Sequence, residues 1–425
     1  MIDSILRARE ARLEAIQKAF GLDRSRVIIS IKANIPGPNK RISEAYLLVR
    51  LFFNRVRSMF ESSNHEFIDC DDGPYVLMVA LGIDAITLKK ALVELEETHP
   101  LGHFIDLDVF DEPKASLSRV DLGYPLRKCY LCDRDARDCI RNQRHELKDL
   151  LKVVKSAVEN HLREVTLTAI NEAIVTELDL DEKFGLVTKT SSGSHEDMDY
   201  DLMIKAKDAI LPFFNELFEL GYRASSLNNL LEKARPIGLR AEQAMFSVTS
   251  GINCYKGIIF LIGLITISLG RVLRRNEPLS MIFTNIETIA FEIMDDFKAK
   301  DGSFGIWAYH QYGIEGIRGE AKRGLPSVRK AYERIRNVRV LTTQDLRELL
   351  KELIITADDT VLLKRAKTLE NYYGIKEQMK NLDTRERSQV EAFTEKAIEM
   401  NLSFGGAADL MVATIFIHSI ARRLF

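Results

Sequence analysis

The segment RHELKDLLKVVKSAVENHLREVTLTAINEAIVTEL, residues 144–178, decides the fold because the sequence pattern changes there. Before it, short β-branched or aromatic runs flanked by Pro, Gly or Asp predict strands. From this segment onward, apolar residues recur at helical spacing and glycine-containing turns separate the helices. We therefore predict an α+β domain over residues 1–152, followed by an all-α domain over residues 153–425. Within the first domain, strands are predicted at residues 26–35, 75–83 and 103–110, with helices at 42–60 and 84–99 between them.

The composition limits the partners that this protein can have. Among 425 residues, 60 basic and 62 acidic side chains are well mixed along the chain, so no basic excess is available for nucleic acid. The longest apolar run, residues 257–270, is too short to span a bilayer and predicts a buried helix. The five cysteines do not suit a disulfide framework, and the charged start of the chain lacks a signal-peptide core. We expect a cytoplasmic protein with neither a nucleic-acid nor a membrane partner.

Two acids in the third predicted strand, Asp106 and Asp108, are candidates for catalysis. Side chains alternate along a strand, so residues two apart project from the same face. Two neighbouring carboxylates can hold Mg²⁺ against a polyphosphate and leave room for in-line attack, as in nucleotidyltransferases. We therefore predict a nucleotidyltransferase-like first domain, with these acids as catalytic residues and magnesium ligands. The alternative is an edge strand whose acids face water.

A cysteine cluster follows this strand with the pattern C-x2-C-x6-C-x5-H. A C-x2-C pair can turn back on one metal ion, and three cysteines with one histidine are a known structural zinc set. The alternative is a group of free buried thiols. The predicted zinc ligands are Cys129, Cys132, Cys139 and His145.

The turn NIPGPNK, residues 34–40, places Asn34 and Lys40 on either side of a rigid proline–glycine–proline unit. Taken alone, it is a plain turn. Together with the GHFIDLDV strand and the RKCYLCDRDARDCIRNQRH cluster, it resembles the citrate lyase holo-acyl-carrier-protein synthase family (apo-citrate lyase phosphoribosyl-dephospho-CoA transferase) over about residues 7–150. The resemblance implies that Asn34 and Lys40 bind substrate. His103 departs from it, because the family carries arginine there.

In the second domain, GSHEDMDYD (193–201) concentrates acids at the start of a predicted helix. Helix starts tolerate acids, because first-turn N–H groups and the helix dipole favour negative charge. Four acids and a histidine exceed that need and indicate a bound cation or a substrate. We assign Asp197 and Asp199 to catalysis and magnesium binding. His195 lies one helical turn before Asp199, is predicted to share its helical face, and is also assigned to catalysis. The side chains predicted to face the core from this helix are Met198, Leu202, Ala206, Ala209 and Phe213.

Further polar groups lie within the apolar helical segments. Each can be explained as a turn or a helix cap, but a lone acid in an apolar helix, such as Asp409, is costly unless it is paired or metal-bound. Their number in one helical domain predicts a shared polar cavity, with Glu242 as a further catalytic residue. The predicted substrate-binding residues are Lys183, Gly185, Asn253, Lys256, Arg318 and Glu320 (these two in a flexible turn), Asp359, Arg365, Gly405, Gly406 and Asp409.

The order of these motifs resembles the triphosphoribosyl-dephospho-CoA synthase family over about residues 155–425. The matching segments include HEDMD, RPIG with AEQAMF, GIN with KG, RGEA, DDT and GGAADL. The resemblance implies a helical enzyme that joins ATP to 3'-dephospho-CoA, whose ribose hydroxyl displaces adenine. Displacement at an anomeric carbon passes through an oxocarbenium-like state that carboxylates stabilise, while Mg²⁺ and cations hold the triphosphate.

Six residues depart from that family pattern. The lost prolines are expected to free two turns, and the added acids beside Lys183 are expected to repel the triphosphate. Together these changes would weaken or alter synthase activity. The departures are Asp181, Glu182 and Phe184 for threonine and two prolines, Cys254 and Tyr255 for threonine and histidine, and Phe404 for proline.

Both resemblances belong to one pathway and predict a bifunctional transferase. The second domain would make triphosphoribosyl-dephospho-CoA from ATP and 3'-dephospho-CoA. The first would transfer phosphoribosyl-dephospho-CoA to a serine of the citrate lyase acyl carrier protein, with release of pyrophosphate. Mg²⁺ is the expected cofactor, with structural Zn²⁺ in addition. Two other classes stay open, namely a Mg²⁺-dependent hydrolase of ADP-ribose-like substrates and a non-catalytic, zinc-stabilised adaptor that docks the carrier protein.

Overall fold

The chain forms two compact units, Met1–Glu164 with Arg423–Phe425 and Val165–Arg422. They divide inside a continuous helix, Leu147–Leu178. An uninterrupted helix has no linker composition, so nothing in the residue pattern marks this division, which the sequence analysis places near residue 152. The computed structural model describes residues 2–21, 26–113, 115–298 and 303–425.

The described part of the first unit is an α+β structure, as predicted. Its elements are α1 (Ile2–Phe20), β1 (Val27–Ala33), α2 (Ser43–Met59), β2 (Ser62–Ile68), β3 (Tyr75–Ala80), α3 (Ala85–Thr98), a 3₁₀ turn (Gly102–Phe104), β4 (Ile105–Phe110), α4 (Ala136–Arg141) and α5 (Leu147–Leu178). The strands form one antiparallel sheet in the order β2-β3-β1-β4. The three expected strands and the two helices between them are confirmed. Strand β2 was not predicted, because its side chains are mostly exposed and lack a buried alternating set.

One face of the sheet packs against α1. Ile16 and Phe20 of this helix belong to one buried cluster with Phe110 of β4. Because side chains alternate along a strand, Asp106 and Asp108 project from the same face as Phe110. The two acids therefore lie on the α1 side of the sheet, beside its apolar cluster.

The free edge of β4 is covered by side chains. Lys89 Nζ donates to the carbonyl of Leu107 (2.7 Å), and the carboxylate of Glu96 accepts from the Leu107 N–H (2.8 Å). Arg127 donates to the carbonyl of Ile105 at 2.6 Å. These bonds satisfy the outward backbone groups of an edge strand and hold the strand that carries the two acids.

The second unit contains helices and no strand among its described residues, as predicted. They are α6 (Tyr200–Tyr222), α7 (Leu230–Val248), α8 (Lys256–Arg275), α9 (Met281–Ile289), a 3₁₀ segment (Ile293–Lys298), α10 (Phe304–Tyr312), α11 (Gly316–Lys322), α12 (Pro326–Ile335), α13 (Thr343–Thr356), α14 (Thr360–Ala366), α15 (Leu369–Asn381), α16 (Arg387–Glu399) and α17 (Gly405–Leu424). Helix α8 is long and apolar enough to cross a membrane, but 83% of that stretch is buried inside the protein, which confirms the expected buried helix. Helix α6 packs closely on it, since a β-carbon at Gly221 would lie 1.9 Å from the carbonyl oxygen of Ile267.

Candidate functional site

A cavity of about 670 Å³ lies within the second unit. This volume is in the range of small-molecule and cofactor sites. Residues from the α5–α6 loop, from the starts of α8 and α17, and from α7 and α11 meet at its wall. The predicted residues that line it are Lys183, His195, Glu242, Asn253, Lys256, Arg318, Gly405, Gly406 and Asp409.

Asp409, near the start of α17, is the cavity acid whose pKa is shifted most. The start of α8 packs against it so closely that a β-carbon at Gly257 would lie 1.8 Å from its Oδ2. Burial raises the pKa of Asp409 well above its usual value, and the charges of Asp359 and Glu177 raise it further. A carboxyl in this environment favours its protonated form and can donate a proton.

Glu177, at the end of α5, is a cavity residue that the sequence analysis missed. Lys183 Nζ donates to the Glu177 carbonyl (2.8 Å) and to its Oε1 (2.9 Å). Burial lowers the pKa of Lys183, and the Glu177 charge opposes that change. Because Lys183 is only 1% exposed, its ammonium group is held in this ion pair and does not project freely into the cavity. One feature of the sequence could have identified Glu177, because it is an acid in an otherwise apolar end of a helix.

The negative charge at Glu182, expected to repel a triphosphate, is neutralised by arginines. The carboxylate pairs with Arg347 at 3.0 Å and with Arg387 at 2.9 Å. Glu182 and Phe184 adopt positive φ angles of 52° and 60°, which proline cannot adopt. The turn at these two positions therefore has a conformation that prolines could not adopt, and it is not the same turn made more flexible, as was predicted.

His195 and Asp197 lie in the loop before α6, and Asp199 is the N-cap of that helix. Asp199 Oδ1 accepts from the N–H of Leu202 at 2.8 Å. His195 Nε2 lies 3.1 Å from the Ser403 hydroxyl, and its Nδ1 lies 3.7 Å from Asp197. The prediction that His195 shares a helical face with Asp199 is wrong, because the residues before the cap are not helical.

The predicted core face of α6 is also displaced. Of the predicted set, Ala206 is buried, while Phe213 and Ala209 are only half-buried. The prediction counted from Met198, which precedes the helix, and so set the helical phase too early. The buried apolar residues are Ala206, Ile210, Phe214, Leu217, Phe218 and Tyr222.

Two departures from the family pattern, Cys254 and Tyr255, line the cavity. Tyr255 is 3% exposed, and neither its hydroxyl nor Nδ1 of His195 has a hydrogen-bond partner among the described residues. Burial, followed by the charges of Asp197 and Asp199, raises the pKa of Cys254 to about 11. These two acids do not line the cavity themselves, but their charges reach its wall. Buried polar atoms without a hydrogen-bond partner are rare, and a bound ligand is one explanation for them.

Cationic side chains supply positive charge to the cavity. Arg235 lies 2.7 Å from Asp296 and Arg318 lies 3.6 Å from the same carboxylate, so two cations share one acid. Lys256 Nζ pairs with Glu242 at 2.9 Å. Arg318 lies in α11 and not in the predicted flexible turn. Arg235 opens the quoted RPIG segment but was given no role there, and Asp296 was missed because it belongs to none of the quoted segments.

Several predicted residues hold the surrounding segments instead of lining the cavity. Asp359 caps α14 and also accepts from the N–H of Ala407 (3.0 Å), which joins the starts of α14 and α17. Glu320 is buried and accepts from the Ser327 hydroxyl at 2.6 Å. The remaining two are Gly185, whose carbonyl accepts from the N–H of Ser194 (2.8 Å), and Arg365, which donates to Asn401.

In the first unit, Asp106 and Asp108 keep 35% and 40% of their side chains exposed. Arg127 Nη1 lies 3.1 Å from Asp106, and Lys89 Nζ lies 4.0 Å from Asp108. Burial raises the pKa of Asp108, and the neighbouring charge of Asp106 raises it further. Adjacent, accessible carboxylates of this kind suit one Mg²⁺ whose other ligands are phosphate oxygens and water.

A cluster of cations lies near these acids and was missed by the sequence analysis, because its members come from separate elements. The buried Asp72 lies 3.1 Å from Lys32 and 3.2 Å from Arg9, with Arg12 at 4.0 Å. Burial, followed by the charge of Lys32, lowers the pKa of Lys40 to about 8. Lys40 therefore keeps most of its positive charge near neutral pH, and the cluster can attract phosphate groups.

The other predicted residues of the first unit lie beside the same strand. The N–H of Asn34 donates to the carbonyl of Phe104 (2.8 Å), and the carbonyl of Asn34 accepts from the Tyr130 hydroxyl (2.6 Å). His103 is part of the 3₁₀ turn before β4. The ligand atoms of the predicted zinc set lie within 4.8 Å of one another; they belong to Cys129, Cys132, Cys139 and His145.

Comparison with known proteins gives two family matches. Residues 1–161 match CitX, apo-citrate lyase phosphoribosyl-dephospho-CoA transferase, and residues 164–424 match CitG, ATP:dephospho-CoA triphosphoribosyl transferase. The matches therefore divide close to the point where the two compact units divide.

Curated relatives contain both parts or one of them. Protein CitXG of Haemophilus influenzae is 32% identical over 361 residues, which cover 79% of this chain and 77% of the relative. Protein CitXG of Leuconostoc mesenteroides subsp. cremoris is 29% identical over 431 residues, or 92% of this chain and 91% of the relative. The 2-(5''-triphosphoribosyl)-3'-dephosphocoenzyme-A synthase of Haemophilus ducreyi is 31% identical over 326 residues, or 68% and 99%. The chain is therefore a transferase of citrate lyase prosthetic-group biosynthesis and belongs to the family in which CitX and CitG are fused.

Proposed function

We propose that the second unit joins ATP to 3'-dephospho-CoA and that the first unit transfers the product to the citrate lyase acyl carrier protein. The observation that carries the proposal is the cavity of the second unit. Acids and cations meet there with two buried polar atoms that have no hydrogen-bond partner among the described residues. The family descriptions, which name both a triphosphoribosyl and a phosphoribosyl-dephospho-CoA transfer, support the pairing of the two steps.

In the first step, a ribose hydroxyl of dephospho-CoA forms a bond to C1' of the ATP ribose, and the bond from C1' to adenine breaks. Glu177, together with the more distant Asp197, stabilises the positive charge that develops on the sugar. Burial lowers the pKa of His195, so its neutral imidazole can accept the hydroxyl proton at Nδ1. The protonated Asp409 gives a proton to the departing adenine.

The triphosphate of ATP needs positive charge during this step. Arg235 and Arg318 together carry one positive charge more than Asp296 neutralises, and they are the proposed contacts for phosphate oxygens. Asp197 and Asp199 are the proposed protein ligands for Mg²⁺, whose remaining ligands would be phosphate oxygens and water.

In the second step, a serine hydroxyl of the carrier protein attacks the phosphorus nearest the added ribose, and the bond from this phosphorus to pyrophosphate breaks. We propose Asp106 and Asp108 as the Mg²⁺ ligands and a nucleotidyltransferase-like arrangement for this unit. Lys32 and Lys40 would neutralise the leaving pyrophosphate, since both lie within the cation cluster around Asp72.

Two substitutions test the assignment of one step to each unit. The Asp106→Asn variant should release adenine from ATP in the presence of dephospho-CoA at the parental rate. It should load the carrier protein more slowly, by on the order of a hundredfold or more. Asp409→Asn should lose adenine release but load carrier protein when the triphosphoribosyl intermediate is supplied. Adenine is measured by chromatography and carrier loading by intact-protein mass.

Exposed acids provide matched controls for these variants. Asp111→Asn, one residue after β4, and Asp201→Asn, in the first turn of α6, change charge at accessible positions and should leave both steps unchanged. Adenine release that does not require dephospho-CoA would instead support a hydrolase. Loss of both steps in either site variant would contradict the division of labour between the units.

A further inference from the structure

The segment between β4 and α5, residues 111–146, has little apolar material of its own. Among its described residues, Cys129 and Cys139 are the buried side chains, while Leu126, Leu131 and Ile140 are exposed. A segment of this length with one short helix cannot form a hydrophobic core, and such segments usually need a disulfide or a metal ion. The two buried side chains are both cysteines.

Three cysteine side chains and one histidine side chain of this segment converge on one another. Cys132 Sγ lies 3.5 Å from Cys139 Sγ and 3.3 Å from Nε2 of His145, and all four ligand atoms lie within 4.8 Å of one another. Around a tetrahedral zinc ion, two sulfur ligands lie about 3.8 Å apart, and a sulfur and a nitrogen ligand about 3.5 Å apart. We propose that Cys129, Cys132, Cys139 and His145 bind one structural Zn²⁺.

Backbone hydrogen bonds bring these ligands together. The N–H of Cys129 donates to the carbonyl of Arg134 (2.8 Å), which folds the C-x2-C pair back on itself. Cys139 lies on α4, and the N–H of Arg144 donates to the carbonyl of Cys139 at 3.1 Å, which returns the chain to place His145 beside the sulfurs. The ligand set is therefore arranged by the fold of the segment itself.

The metal site would also hold residues beside the strand acids. Cys129 lies between Arg127, which pairs with Asp106 at 3.1 Å, and Tyr130, whose ring packs on Phe104 with centroids 5.0 Å apart. Hydrogen bonds to Ile105 and to Asn34 hold the ends of the Arg127 and Tyr130 side chains, and a metal ion bound to Cys129 would fix the backbone between them. Zn²⁺ is thus a positioning element for the first unit, and this consequence rests on the proposed function whereas zinc binding does not.

Metal content of the full-length protein tests the proposal. Protein purified under reducing conditions without added metal should contain about one zinc atom per chain by mass spectrometry of the elements. Cys132→Ser should lose most of that zinc and lower the melting temperature. Cys70→Ser is the matched control, because Cys70 is a free cysteine of the same unit outside the cluster, and it should retain zinc.

Cobalt spectroscopy keeps the test decisive if Cys132→Ser does not fold. Co²⁺ exchanged into the parental protein should give intense tetrahedral absorption bands with thiolate-to-metal charge transfer, and His145→Asn should change these bands. Parental protein that contains no zinc and binds no Co²⁺ tetrahedrally, or that has lost two hydrogens in a Cys132–Cys139 disulfide, would overturn the proposal. Zinc-depleted protein should load carrier protein poorly yet release adenine normally, whereas equal loss of both would contradict the positioning role.

Discussion

A β-carbon at residue 257 would lie 1.8 Å from Oδ2 of Asp409, so the start of α8 and the acid of α17 meet because residue 257 is glycine. Gly257→Ala must therefore displace the carboxyl group or the helix start. A displacement of about 1 Å in a catalytic group can cost on the order of a hundredfold in rate, and we expect adenine release to fall by that order. Chromatography of released adenine, with a thermal melt of the same sample, measures both effects.

The matched control for this variant is Gly374→Ala. Gly374 lies in α15. Apart from its chain neighbours and the backbone of its own helix, no atom of the described residues lies within 4 Å of the position that a β-carbon would take there. Alanine there should increase the free energy of unfolding by roughly 0.5–1 kcal/mol and leave adenine release unchanged. Parental rates in both variants would show that the contact between residue 257 and Asp409 has no part in the reaction.

The Tyr255→Phe variant tests whether the Tyr255 hydroxyl binds a substrate or stabilises the fold. The Tyr255 hydroxyl is buried without a hydrogen-bond partner among the described residues, so its removal costs no protein hydrogen bond there, and stability should be equal or slightly higher. If the hydroxyl binds substrate, KM for ATP or dephospho-CoA should rise roughly two- to tenfold, the equivalent of one hydrogen bond.

The control is Tyr200→Phe, which removes a hydroxyl that donates to Asp179 at 2.8 Å outside the cavity lining. This variant should lose a little stability and keep both KM values. A Tyr255→Phe protein with unchanged KM values would remove the hydroxyl from substrate binding.

From the lowered pKa of Lys40 we expect opposite pH trends for carrier loading and for the free energy of unfolding. Its pKa is lowered to about 8 by burial, so carrier loading that needs the cation should fall as pH rises through about 8. The unfolded chain holds this proton up to about pH 10.4, so between these values the unfolded state binds more protons and stability rises with pH. Lys40→Arg stays charged in this range and should flatten the loading profile, measured from about pH 7 to 9.5. A parental loading profile without a decrease above about pH 8 would contradict the role of Lys40.

The elements of the first unit show what sequence patterns can predict. Strands β1, β3 and β4 carry β-branched or aromatic residues with buried positions, and these were predicted. Strand β2 has mostly exposed side chains and depends on pairing with β3, which is a tertiary contact that leaves no local pattern.

The candidate site shows a similar limit. Asp409 and Gly257 come from motifs and could be found by their residue types. Glu177 lies in an ordinary helical sequence, and Arg235 lies in the RPIG segment, where it was given no role. Both become cavity residues only because other helices pack around them. The error for His195 arose at an element boundary, since the helix starts after the Asp199 cap and not before it.

The two proposed magnesium ligands before α6, Asp197 and Asp199, differ in their bonds, and this difference allows a test of the proposed magnesium site. Asp199 accepts from the Leu202 N–H, whereas Asp197 faces His195 at 3.7 Å and takes no part in the cap. Asparagine is also a good N-cap, so Asp199→Asn should change stability by less than about 1 kcal/mol, and Asp197→Asn should change it still less. Asp201 is exposed in the first turn of α6 and provides the control substitution.

If Asp197 and Asp199 hold Mg²⁺, both variants should fold normally, require more Mg²⁺ for half-maximal adenine release and remain slower than the parental protein at saturation. Substitution of a metal ligand weakens binding at every Mg²⁺ concentration, whereas loss of a cap acts on stability alone. Asp201→Asn, which removes the same charge one turn away, should reproduce any effect that arises from net charge only. Adenine release within about threefold of the parental rate in both variants, less than about 1 kcal/mol in the barrier, would assign these acids to capping and solubility.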